Sequence, residues 1–103
     1  MTLTALSDDP SAPPRVTELN EFLRQVQADS GRFIERLWSP QALVDDRLAT
    51  VWSPYDFYRD GEFSHCGIDA FHLVRMGSSW KVASVAYTVH PENCADSPLG
   101  PPT

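Results

Sequence analysis

From Arg32 to His90 apolar side chains recur at nearly every second position, a period that commits this stretch to extended strands with two unlike faces. The Asp60-Gly61 dipeptide interrupts it, and a two-residue hairpin turn requires positive φ where those residues stand. Strands are expected near residues 32–39, 41–44, 47–58, 62–75 and 80–90, with further turns at Asp45-Asp46 and at 76–79. Long strands joined by tight turns make an antiparallel meander.

Before Gly31 the period is helical. Thr17 is the expected N-cap, and Leu19, Phe22, Leu23 and Val26 follow at helix spacing. Asn20 stands where a capping box would place Glu or Gln, so the cap is half built, and Ser30-Gly31 ends the helix. One apolar stripe on one helix implies one sheet to receive it. Met1–Leu6 reads as a strand, 7–14 as a proline-containing loop and 15–17 as a short returning strand. The expected fold is α+β: a curved antiparallel sheet of about five to six strands packed on one helix. Residues 1–90 form a single domain, and 91–103 a proline-rich mobile tail.

Charge narrows the partners. A net charge of −6 supplies no basic stripe to displace counterions from nucleic acid, nor one to meet an anionic membrane. No apolar run reaches the length of a membrane span, and the first six residues are too short and uncharged for a signal peptide. A cytoplasmic protein is expected. Two cysteines, Cys66 and Cys94, make no disulfide framework, although a single bridge between them would suit a secreted protein.

With Asp60-Gly61 as the two turn residues, Arg59 faces Glu62 and pairs run outward in register. One face then carries Tyr58 opposite Phe63, Asp56 opposite His65, Trp52 opposite Asp69 and Thr50 opposite Phe71. The other carries Tyr55 opposite Cys66 and Val51 opposite Ala70. The first face combines large aromatics with an imidazole and two carboxylates, the composition of a ligand pocket. Trp52, Asp56, Tyr58, Phe63, His65, Asp69 and Phe71 are therefore the candidate ligand-binding residues. A β-bulge between the turn and Trp52 would invert part of this set.

His65 with Asp56 is the candidate catalytic pair: a carboxylate across the ladder would orient the imidazole and poise it for proton transfer. The plain alternative is a buried histidine that satisfies a hydrogen bond while packing on Trp52 or Tyr58. Asp69 beside Trp52 is a second candidate base, since a carboxyl in an apolar pocket titrates near neutrality; otherwise it caps a strand end. Cys66 projects away from its neighbour His65, so a Cys–His nucleophile is not expected and a small buried hydrophobe is. Cys66, His90 and Cys94 lack metal-knuckle spacing, and neither metal nor cofactor is expected.

Three stretches carry a family resemblance: Leu48-Ala-Thr-Val-Trp-Ser-Pro-Tyr-Asp-Phe-Tyr58, Phe63-Ser-His-Cys-Gly-Ile-Asp-Ala-Phe71, and Trp80-Lys-Val with Tyr87-Thr88. The chain resembles the nuclear transport factor 2-like superfamily over residues 16–94, and within it the SnoaL-like branch named for lumazine binding. The resemblance implies a cone in which a curved sheet and helices enclose a cavity, often dimeric through the outer sheet face. It departs from that pattern by starting at the first strand, without the usual N-terminal helices. Three functions compete: a small-molecule-binding domain for a planar heterocycle such as a lumazine or pterin; an isomerase, cyclase or dehydratase using His65 or a nearby carboxylate as base; and a structural dimerisation module.

Overall fold

The computed structural model describes residues 1–102. Its elements are β1 (Thr2–Leu6), β2 (Arg15–Glu18), α1 (Leu19–Ala28), β3 (Phe33–Leu37), β4 (Gln41–Asp45), β5 (Leu48–Arg59), β6 (Glu62–Met76) and β7 (Ser79–Thr88). Seven strands form one open sheet in the order β2-β1-β7-β6-β5-β3, and β4 extends the β3 edge by pairing with the other half of β5. The architecture is α+β with the sheet dominant, and it holds more strands than the five to six expected. It is also mixed: β1 runs parallel to β7, with Leu3 beside Val85 and Ala5 beside Tyr87. Nothing local in the sequence encodes that direction, because the two partners lie at opposite ends of the chain.

The β5–β6 turn forms as its residues dictate, with Asp60 at φ 52° and Gly61 at φ 81°. Arg59 pairs with Glu62 and Tyr58 with Phe63, but the next pair is Phe57 with His65. Ser64 is thus an extra residue, a bulge, and beyond it every expected partner on β6 moves by one. A second bulge at Ala83 lets His72 pair with Ser84 and Leu73 with Val82. An added residue flips all that follows to the other face, because the side-chain period is two.

The helix enters without a side-chain cap. Glu18 holds the N-cap position with no cap hydrogen bond, and Thr17, the expected cap, is a strand residue paired with Leu3. The helix and residues 29–32 connect β2 at one sheet edge to β3 at the other. At the helix C-terminus Asp29 accepts from the Arg59 guanidinium at 2.9 Å, which places this connection across the face on which Arg59 projects. All buried residues except Asp56 lie on this helix-side face: Ala5, Ala49, Ser53, Tyr55, Asp69 and Val85.

The helix buries none of its own residues, and Leu23 and Val26 of its apolar stripe stay 44% and 37% exposed, so it does not pack on the sheet as that stripe implies; it crosses the face diagonally. The helix starts level with the row Ser84, His72 and Thr50 and ends level with Phe33, Arg59 and Glu62. The far end of the helix-side face, with Val44, Phe71, Leu73, Trp80 and Val82, is left without helix cover, and Trp80 and Val82 are exposed there.

Where β7 ends, it closes tightly on β6. A Cβ on Gly67 would lie 2.1 Å from the Thr88 carbonyl oxygen, so only glycine fits. The Tyr55 hydroxyl donates to that same oxygen at 2.6 Å, and the Ile68 amide donates to Thr88 Oγ1 at 3.0 Å. Tyr55→Phe leaves the Thr88 carbonyl without this donor in a buried setting. Its expected cost is about 1–2 kcal/mol, read as a lower urea midpoint at unchanged slope.

Candidate functional site

The bulge at Ser64 divides the expected site residues between two faces. Trp52, Asp56, Tyr58 and Phe63 share the face opposite the helix, whereas His65, Asp69 and Phe71 share the helix-side face. The His65–Asp56 pair is therefore not assembled. Asp56 lies across from Cys66, and its carboxylate is held by Arg36 of β3, with Nε donating at 3.0 Å and Nη2 at 2.6 Å. Such a bidentate grip occupies both carboxylate oxygens.

His65 instead packs. Its ring stacks on Phe57 at 4.9 Å between centroids, meets Tyr55 edge-on at 5.7 Å, and its Nδ1 lies 2.9 Å from Ser64 Oγ. Burial pushes its pKa down, which favours the neutral imidazole. His65 thus packs as in the plain alternative, but on Phe57 and Tyr55 and not on Trp52 or Tyr58, which the bulge leaves on the other face.

Asp69 is where unusual chemistry collects. It is paired with Ser53 in the ladder and is only 4% exposed. One of its carboxyl oxygens, Oδ2, is buried without any donor. Glu35 of β3 projects on the same face and acts on Asp69 electrostatically. Burial first, then the Glu35 charge and hydrogen bond, raise Asp69 from 3.8 to about 7. Burial raises Glu35 as well, its contact with Asp69 partly opposing the shift. Both shifts favour the neutral form of each carboxyl. Burial, followed by the charges of Asp69 and Glu35, also pushes the Tyr55 hydroxyl well above its ordinary range.

The surroundings of the pair are aromatic. Tyr55 and Tyr87 meet edge to face at 6.3 Å, and Phe57 stacks on His65. Next along the face come Phe71 and Leu73, then the exposed Trp80 and Val82. An apolar surface leading to a buried, proton-holding carboxyl can orient a ligand by donating or accepting one strong hydrogen bond. Sequence reasoning named Asp69 and missed Glu35 and Tyr55. A trace of Glu35 exists: Phe33-Ile-Glu-Arg-Leu37 places two charges mid-strand, and each meets an acid, Asp69 for Glu35 and Asp56 for Arg36.

The opposite face has its own features. A cavity of about 380 Å³ is lined by Asp56, Tyr58, Phe63, Cys66 and the segment 91–97. Cys66 is disulfide-bonded to Cys94, which replaces the expected free, buried thiol. A second cavity of about 290 Å³ is formed by Gln41, Leu43, Thr50 and Trp52. Among the described residues no three His, Cys, Asp or Glu side chains converge as a metal-ligand set, and no helix is long and apolar enough to cross a membrane. Compared with known proteins, the chain matches no family model and no curated protein.

Proposed function

We propose that this protein is a small-molecule-binding domain with a nuclear transport factor 2-like cone, its ligand lying on the helix-side face against Asp69. The observation that carries this reading is the buried Asp69 oxygen with no donor, at the edge of an aromatic surface. A group of this kind destabilises the fold unless something meets it, and so it suits a bound partner. Planar heterocycles with alternating N–H and C=O groups, such as lumazines and pterins, match a carboxyl pair that both donates and accepts. Phe71 and Tyr87 offer ring faces for stacking.

Thermal-shift titration with lumazines, pterins, steroids and aromatic polyketides tests this directly. One class is expected to raise the melting temperature of the wild type and of Trp52→Ala, whose change lies on the opposite face, but not that of Asp69→Ala. A shift lost in Trp52→Ala and kept in Asp69→Ala would place the ligand on the wrong face and end the proposal.

The second reading is an enzyme of the isomerase, cyclase or dehydratase kind. What favours it is a carboxyl titrating near neutrality, the property of a general base, in Asp69 rather than His65. In that case Asp69→Asn abolishes turnover of an identified substrate while His65→Gln retains most of it. The reverse pattern would return the role to His65.

A homodimer through the opposite face is part of the proposal. The accessible surface is 7310 Å², against about 5,800 Å² for a compact monomer of this mass. Leu43 at 78% and Trp52 at 53% exposure lie together on that face. Sedimentation equilibrium is expected to give a dimer that Leu43→Glu dissociates at least tenfold more readily; a wild-type monomer at high concentration refutes it.

A further inference from the structure

The segment after β7 is attached in two different ways on either side of Pro91. Up to His90 the backbone is woven into the fold. The Val89 amide donates to Leu6 at 2.9 Å, His90 exchanges backbone hydrogen bonds with Cys66 at 3.0 and 2.8 Å, and the His90 imidazole meets the Asp8 carboxylate. Beyond His90 this weaving stops. Among the described residues, the hydrogen bonds of 91–102 reach no further back than His90, as in Gly100 to Ser97 and Leu99 to Ser97. Pro91, Pro98, Pro101 and Pro102 have no amide to donate. Among the described residues, the one covalent or hydrogen-bonded link from this segment to the sheet is the Cys66–Cys94 disulfide.

The position of that bond separates it from an ordinary staple. Cys66 is already fixed without it, by its ladder position opposite Asp56 on one side and by His90 on the other. The bond therefore adds nothing to the pairing of β5, β6 and β7. What it holds is the wall of the 380 Å³ cavity, since residues 91–97 form one side and Asp56, Tyr58 and Phe63 the other. The wall also carries Glu92 and Asp96 and no basic residue, in a chain of net charge −6, so electrostatics do not favour its closure.

We propose that Cys66–Cys94 is a redox-operated latch on this cavity. A dithiol reductant opens it by exchange: one thiolate attacks a sulfur of the bridge, forms a mixed disulfide and releases the other cysteine as a thiolate. The second thiol of the reductant then displaces the remaining cysteine. Two electrons pass to the protein, both cysteines end as thiols, and the reductant leaves as a disulfide. The segment hinges away at Pro91 and bares the surface of Asp56, Tyr58 and Phe63. Oxidation reverses the motion. In a reducing compartment the cavity stands open, and in an oxidising one it is closed.

Limited proteolysis with a glutamate-specific protease, alongside hydrogen exchange on the full chain, tests the latch. Three samples are compared: oxidised protein, protein reduced with dithiothreitol, and Cys94→Ser. Reduction and Cys94→Ser are both expected to speed cleavage after Glu92 at least tenfold, while the ladder amides of Ser53–Asp69 keep their exchange protection. Unchanged cleavage after Glu92 in both would show that packing, not the disulfide, holds the segment, and would overturn the proposal. Loss of ladder protection together with the segment would make the bond a structural staple and overturn it equally. So would failure of the reduced protein to re-form the bridge in glutathione disulfide, read by thiol titration.

Discussion

Asp69→Asn is expected to stabilise the protein at pH 8 and to flatten its dependence of stability on pH. In the unfolded chain this carboxyl titrates near 3.8, and in the folded protein near 7. Below about pH 4 both states hold the proton, and the group contributes no difference. Between 4 and 7 the unfolded chain releases its proton while the folded protein keeps it, so stability falls as pH rises. Above 7 the loss is complete, at most about 4 kcal/mol by the free energy of a pKa shift of this size. Asparagine removes the titration but keeps a buried polar group whose own imperfect pairing costs about 1–3 kcal/mol.

The net gain at pH 8 is therefore about 1–3 kcal/mol, or roughly 5–15 °C in melting temperature for a domain of this size. Near pH 4 the sign reverses, because the wild type there carries a neutral carboxyl that can donate to Glu35. Melting curves of both proteins from pH 4 to 8 should cross. Parallel curves would mean that Asp69 titrates normally, and the chemical case for the helix-side face would go with it. A residue whose removal strengthens the fold is retained for something other than stability, which ties this measurement to the proposed ligand.

How much of this was legible in advance follows from the range over which each feature is encoded. The Asp60-Gly61 turn, the alternating strands and the single amphipathic helix rest on neighbours in sequence, and all appear in the fold. The bulge at Ser64 rests on nothing local: Phe63-Ser-His-Cys alternates as well with it as without it. One unpaired residue was enough to carry His65, Asp69 and Phe71 away from Trp52, Asp56 and Tyr58. The parallel β1–β7 contact and the Glu35–Asp69 approach join segments far apart in the chain, where a lone sequence has no periodicity to offer. Asp69 was recognisable because an acid on an apolar strand is anomalous by itself. Its partner was not, because Glu35 sits beside Arg36 and reads as half of a surface pair.

Arg36→Ala is expected to produce the largest loss of stability. The Arg36 and Asp56 side chains are 15% and 6% exposed, and both guanidinium contacts go to the one carboxylate. The ring of Tyr58 packs against the guanidinium at 5.4 Å, so truncation also removes a cation–π contact. With arginine gone, Asp56 is a buried carboxylate without a counter-charge, a change that costs about 3–5 kcal/mol. Denaturant unfolding should show the loss, with Asp56→Ala giving a deficit of similar size for the mirror reason. The pair replaced together, as Arg36→Met with Asp56→Leu, should recover most of it, because two apolar side chains of comparable bulk need no mutual desolvation. With Arg36→Met and Asp56→Leu also made singly, the double-mutant cycle yields a coupling energy of several kcal/mol between positions 36 and 56. Additive losses would instead mean that the two residues stabilise the sheet independently. Asp56 would then be free to act as an acid in the cavity beneath residues 91–97, the role that its grip by Arg36 now denies it.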